Sequence, residues 1–350
     1  MNTKMKMCSM LLGLALFAAC SSDDDVVTPQ PKSYPLTIEV SENPLIPEGG
    51  AASAAATRAA ETTISSLDKF NMSYVYEGIE NPGSYTDVTC TNGVWGDKTG
   101  TAYTWPNGDP DKTVTWYAYT KGSFHLTDDT NKKPYINFEG EEYADAQHDL
   151  LVSTTNGTYN STSGHLYFAF NHVCSALRFF VKKSTNLNDY TVSVSSIKLC
   201  KVIKQGRYYF DDDAWVTSSA PAADDPKYFE KTEYTLYSGD AVVLGSASSD
   251  YLPIYGTYGT EEDPYLFIIP QTLMAWDHKT PITNSITQSY IEIVCDIKKS
   301  DSSSVFSGTA YIPIGYTFVK NKRYKLNLSI SKNSLYKYDN NTYSLVIPAS

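Results

Sequence analysis

An all-β fold is what this sequence predicts, on two observations. Segment after segment alternates apolar with polar residues at period two, with turn-forming residues in between. Tyr (28) and Gly (20) are abundant while long runs of Ala, Glu, Lys and Leu are missing, which favours strands and turns over helices. A chain of 350 residues has room for about two domains of ordinary size.

The chain opens with a segment that is not part of the fold. Lys4 and Lys6 supply a positive start, and the apolar run Leu11 to Phe17 is too short to span a bilayer. Residues 1–19 therefore read as an export signal. Its end, Phe17-Ala18-Ala19-Cys20, resembles a lipobox, in which the cysteine thiol receives a lipid; the alternative is ordinary cleavage beside an incidental cysteine. Ser21-Ser22-Asp23-Asp24-Asp25 resembles the acidic signal that carries Bacteroidetes lipoproteins to the cell surface. Residues 20–33 are thus expected to be a surface-export signal and tether, with Pro29 and Pro31 holding Val26 to Ser33 extended.

Leu36, Ile38 and Val40 alternate with polar residues as in a strand with one buried face, and Pro44 and Pro47 are expected to end it. Gly49 to Ala60 follows, a small-residue stretch with Arg58 as its single basic side chain. It reads as an exposed, protease-accessible link or as one short helix. Strand signals then repeat with the spacing of a sandwich or barrel. Phe70/Met72/Tyr74/Tyr76, Val114/Trp116/Ala118, Leu166/Phe168/Phe170 and Leu177/Phe179/Val181 each share a face, as do Val192/Val194, Ile291/Ile293/Cys295/Ile297 and Leu326/Leu328/Ile330. Asn92-Gly93 and Asn107-Gly108 supply turns by admitting positive φ. The polar break Lys182 to Asp189 is the expected domain boundary, giving domains over 34–185, with a candidate removable first strand at 34–58, and 186–350. Asp211 to Pro226 and Tyr258 to Pro264 read as long loops.

The net charge is −11, and loss of Lys4 and Lys6 with the signal leaves −13, a balance that repels phosphate backbones and excludes nucleic acid as a partner. Of six cysteines, Cys8 leaves with the signal and Cys20 takes lipid. Cys90, Cys174, Cys200 and Cys295 remain, with no C-x-x-C among them. Buried thiols are the preferred reading, with disulfides open to a chain outside the cytoplasm.

No catalytic motif is present, whether a metalloprotease H-E-x-x-H, a phosphate-binding glycine loop, a nucleophile elbow or a dinucleotide fingerprint. Ser66/Lys69, Ser195/Lys198 and Ser329/Lys332 match S-x-x-K without its companion motifs. The histidines at 125, 148, 165, 172 and 278 include no pair spaced for metal on a helix. Asp109/Asp111, Glu141/Glu142 and Asp211-Asp212-Asp213 offer carboxylates in loops, which read as solvated charges or weak calcium ligands unless two of them face one another across a cleft. The five tryptophans, at 95, 105, 116, 215 and 276, are too scattered for a sugar platform and are expected in the core. No enzyme activity, cofactor or metal is expected.

Several segments in order carry a resemblance. Thr57-Arg58-Ala59 precedes Phe70-Asn71-Met72-Ser73-Tyr74; Tyr103-Thr104-Trp105-Pro106 leads to Val114 to Tyr119; then come Asp149-Leu150-Leu151-Val152, Leu166 to Phe179 with its Phe170-x-His172, and Gly315 to Leu328. Behind a lipobox, this order resembles the fimbrillins, lipoprotein-derived subunits of type V pili in Bacteroidetes, and the wider fimbrillin-like adhesin group. The resemblance implies two tandem transthyretin-like Greek-key β-sandwich domains and a surface lipoprotein of the outer membrane that enters fimbriae. It also implies assembly by donor-strand exchange. An arginine-specific surface protease cuts between Arg58 and Ala59, the strand bearing Leu36, Ile38 and Val40 leaves, and a strand of another fimbrial subunit fills the groove. The physics suits such a scheme, since a missing strand exposes apolar surface and unpaired backbone groups together. Arg58 also reads as an ordinary loop residue. Tyr343, Leu345 and Ile347 alternate suitably for a donor strand or for completing their own domain. A lipid-retained tip or anchor subunit, a surface glycan-binding lipoprotein and a secreted hydrolase are the other readings; an adhesin would also meet a host or bacterial surface ligand.

Overall fold

The computed structural model describes residues 34–47, 67, 69–79, 81–127, 132–141, 148–217, 231–247, 252–253, 265–283, 286–339 and 342–347. The expected signal and tether, Cys20 and the link carrying Arg58 and Ala59 lie outside them. The fold is all-β, as expected. Among the described residues the one α-helix, Tyr159–Thr162, is a single turn. Thr158 caps it, its hydroxyl accepting the Ser161 N–H at 3.0 Å. No described helix is long and apolar enough to cross a membrane.

The chain forms two compact units. Unit 1 draws on residues 1–43, 65–120 and 152–171, and unit 2 on 44–64, 121–151 and 172–350. Unit 1 is built on one seven-stranded sheet in the order Thr37–Glu42, His165–His172, Leu151–Gly157, Val114–Tyr119, Lys69–Tyr76, Gly83–Thr91, Val94–Gly96. The first two run parallel, while Val114–Tyr119, Lys69–Tyr76 and Gly83–Thr91 each pair antiparallel with both neighbours. The sheet curls until its first and last strands meet. Phe70, Met72, Trp116, Leu166, Phe168 and Phe170 are buried on its inner face, where the Phe70 ring lies 5.2 Å from Phe170 and 5.3 Å from Trp95. Asn92 (φ 51°) and Gly93 (φ 87°) turn the chain between the last two strands, as their sequence demands.

Unit 2 is a β-sandwich. A five-stranded sheet contains the parallel pair Ser175–Lys183 and Lys322–Ile330, and a six-stranded sheet is centred on Tyr190–Ile203 and Tyr290–Lys299. Leu177, Phe179, Val181 and Tyr324 from the first meet Val192, Val194, Ile197, Leu199, Ile291 and Ile293 from the second in one core. A smaller four-stranded sheet joins Ser123–Leu126, Pro134–Glu139, Gln205–Tyr209 and Ala214–Val216.

The expected division after residue 185 lies inside unit 2. Residues 182–189 connect two core strands there, and Leu187, the one large apolar residue of that break, is fully buried. The units instead divide between Asn171 and His172, within a continuous strand whose alternation gives no sign of a boundary. Thr37–Glu42 ends before Pro44, as expected, and Ile46–Pro47 adds a strand that the sequence did not show, pairing in parallel with Lys322–Arg323; at a sheet edge a residue lacking N–H is tolerated. Asp211 to Pro226 is not wholly loop, since Ala214–Val216 pairs with Arg207–Tyr209.

Candidate functional site

The candidate site is the segment 34–47, which gives a strand to each unit. In unit 1, Thr37–Glu42 lies parallel to His165–Phe170 in six register pairs. Its period-two pattern does what the sequence asks of it. Leu36 and Ile38 are buried, while Val40 is only half-buried. Hydrogen bonds tie the segment on both edges: Thr37 N–H donates to Gly164 O at 2.9 Å and Asn43 N–H to Phe170 O at 2.9 Å. On the other edge, Leu36 N–H reaches Tyr103 O and Trp105 N–H reaches Tyr34 O, both at 2.7 Å. Side chains add to this, with Ser41 Oγ 2.7 Å from Tyr167 Oη, Asn43 donating to Asn171 at 2.8 Å and the Tyr34 ring against Tyr159. Gly164 is required where the segment enters, since it has φ +76° and a Cβ there would meet Pro35 O at 2.7 Å.

In unit 2, Ile46 N–H donates to Asn321 O at 3.0 Å and Leu45 is buried. Both strands are terminal in their sheet orders. Burial of Leu36, Ile38 and Leu45 stabilises the seated segment by about 1.5–3 kcal/mol each. Sequence reasoning missed Leu45, Ile46 and Pro47, because two prolines in four residues hide a two-residue strand.

The C-terminal candidates fold into unit 2. Thr342–Leu345 pairs antiparallel with Tyr336–Asp339 at the edge of the six-stranded sheet. The Tyr343 ring lies 4.6 Å from Trp276 and its hydroxyl accepts the Ile282 N–H at 3.1 Å. Burial, and secondarily the Tyr338 hydroxyl, pushes the Tyr343 phenol upward. Leu345 is half-buried, and Val346 and Ile347 are buried in the sandwich core.

The other sequence candidates take structural positions. His165 and His172 sit on opposite faces of one strand, exposed and buried, so they cannot share a ligand. His172 pairs instead through Nδ1 with the Asp149 carboxylate, both side chains almost fully buried. Asp111 accepts from Asn160 at 2.7 Å, and Asp212 meets Lys133 at 3.0 Å. Burial pushes the Asp213 carboxyl upward, but the Lys320 ammonium and Tyr208 hydroxyl bonded to it leave it below the ordinary range. Among the described residues, no group of three or more His, Cys, Asp or Glu is placed to hold a metal. Trp95, Trp105, Trp116 and Trp276 are buried, and the half-buried Trp215 donates its indole N–H to Val173 O at 2.6 Å. Cys90, Cys174, Cys200 and Cys295 are thiols, the last three buried.

The family model described as fimbrillin-like matches residues 57–342. Among solved structures, the chain is similar to a fimbrial protein from Bacteroides vulgatus ATCC 8482, with 18% identity and a TM-score of 0.52 over 89% of this chain and 98% of that one. A fimbrial assembly protein from Parabacteroides distasonis ATCC 8503 matches at 11% identity and TM-score 0.37, over 87% of this chain and 94% of that one. No curated protein matches the chain.

Proposed function

Since the chain belongs to the fimbrillin-like family, we propose that it is a structural and adhesive subunit of cell-surface fimbriae, exported as a lipoprotein and assembled by protease-triggered strand exchange. The observation that carries this reading is the seat of segment 34–47. It fills edge positions in two sheets and buries Leu36, Ile38 and Leu45. It is joined to the rest of the chain through a link in which Arg58 is the one basic residue between Lys32 and Lys69. An arginine-specific protease therefore has a single target there. Cleavage turns a tethered strand into a separate peptide, so its dissociation becomes irreversible once it diffuses away. The strands His165–His172 and Lys322–Ile330 are then left with bare edges, which a strand from another subunit satisfies in apolar burial and backbone hydrogen bonds at once.

Replacing Arg58 tests the trigger. Arg58→Ala is expected to leave a folded, uncut monomer on the cell surface, while wild type yields filaments and ladders in sheared material that collapse on heating. Wild-type assembly by Arg58→Ala would remove cleavage at this site from the scheme. A second reading, a lipid-retained tip or anchor subunit, is favoured by the C-terminal tail, which pairs inside its own unit with Ile347 in the core. That reading predicts a few copies at filament ends under immunogold labelling, where a shaft subunit decorates the whole length.

A further inference from the structure

Unit 2 carries a basic cleft that segment 34–47 partly walls. It arises from the parallel pairing of Ser175–Lys183 with Lys322–Ile330, which sets Arg178 opposite Lys325 and Ala176 opposite Arg323. Leu177, Phe179 and Tyr324 point into the sandwich core, so period-two alternation turns Arg178, Phe180, Arg323 and Lys325 to the other face. Those four line the cleft together with Tyr265 and Pro47. The Arg178 guanidinium lies 4.5 Å from the Tyr265 ring centre, and Lys325 Nζ lies 4.7 Å from that of Phe180. Aromatic faces thus hold two of the three cations in place.

Like charges directly opposed on neighbouring strands cost stability, yet this acidic chain, at −11, gathers three cations in one depression. Guanidinium groups match the planar, bidentate geometry of oxyanions. The cleft volume of about 380 Å³ is in the range of small-molecule sites.

We propose that this cleft binds an acidic sugar residue, its carboxylate or sulfate held by Arg178, Arg323 and Lys325 and the rest of its ring filling the space beside Pro47. The site names a ligand class for the lipid-retained tip or anchor reading above, in which the chain stays uncut, and its binding is measured without strand exchange. Because Pro47 lies upstream of Arg58, the uncut chain is the form to test.

Titration calorimetry of the uncut chain against a heparin-derived disaccharide is expected to show saturable one-to-one binding. Maltose should give no heat, and inorganic sulfate and hexaglutamate should each bind about tenfold more weakly or worse. Arg178→Gln and Lys325→Gln should each weaken disaccharide binding by about tenfold or more, as expected for a charge-assisted contact. Lys325 is exposed, so its variant is expected to keep the wild-type circular dichroism spectrum and carries the test if Arg178→Gln does not fold. Absence of disaccharide binding, variants that bind as wild type does, or sulfate or hexaglutamate binding as tightly as the disaccharide would each overturn the proposal. Filament formation by Arg58→Ala and wild type has no bearing on any of these outcomes.

Discussion

Asp149 and His172 belong to two separate motif segments of the sequence, and the fold joins them in a buried pair, with side chains 4% and 1% exposed. Removing one partner of such a pair leaves the other desolvated, at a cost of about 3–5 kcal/mol. Asp149→Ala and His172→Leu should each lower the denaturant midpoint sharply, while the Asp149→Leu/His172→Leu double variant should lose less than the two together. Additive losses would show that the pair does not act as a unit. The buried thiols set an alkaline limit. Burial first, then neighbouring carboxylates, pushes Cys200 from 9.0 up to about 12, and burial with the Asp296 charge does the same to Cys295. Their stabilisation is fully present below pH 9 and is lost as pH rises toward about 12, by about 1.4 kcal/mol per thiol at pH 10. The thermal midpoint should therefore hold up to about pH 8.5 and fall beyond it; a profile flat to about pH 11 would contradict this linkage.

Among the elements, the N-terminal strand is firmly seated and yet built at an edge. Gly164 controls where it enters, because a side chain there would clash with Pro35 O in a left-handed backbone conformation. Gly164→Ala is expected to cost roughly 1–2 kcal/mol from backbone conformation alone. It should also raise hydrogen exchange at Thr37 to Asn43 selectively. Uniform acceleration over the whole chain would indicate general destabilisation instead. The C-terminal strand calls for a different choice of variant. Ile347 lies in the core of unit 2, so Ile347→Asp should lower monomer stability and does not isolate a donor role. Leu345, half-buried on Thr342–Leu345, is the better probe, because the neighbouring Val346 N–H bonds Leu335 O and alternation turns the Leu345 N–H to the open edge of the sheet. Leu345→Pro removes that edge N–H, and it should reduce assembly with less loss of monomer stability than Ile347→Asp if this strand is the donor.

For the whole molecule, the matter is where the chain is held. An acidic subunit at −11 has little attraction for anionic surfaces, so retention at the membrane falls to the lipid proposed on Cys20. Cys20→Ala should abolish incorporation of radiolabelled palmitate and release the protein from cells. Equal labelling of variant and wild type would end the lipoprotein reading.

The strand faces were legible in the sequence because period-two alternation is local: Phe70/Met72, Leu177/Phe179/Val181 and Ile291/Ile293/Cys295/Ile297 point to the core as their patterns predict. The same was true of the Asn92-Gly93 turn and of the burial of Leu36 and Ile38, and the resemblance to the fimbrillin-like family was carried by short motifs in order. What the sequence could not supply was pairing over distance. Thr37 meets His165 and Ile46 meets Lys322 in parallel register, and no local pattern encodes a partner more than a hundred residues away. For that reason the division within His165–His172 lay hidden, as did the Ile46–Pro47 strand and the cleft of Arg178, Arg323 and Lys325. Alternation determines which face of a strand is buried; only tertiary contacts determine which strand lies beside it, and therefore which side chains meet.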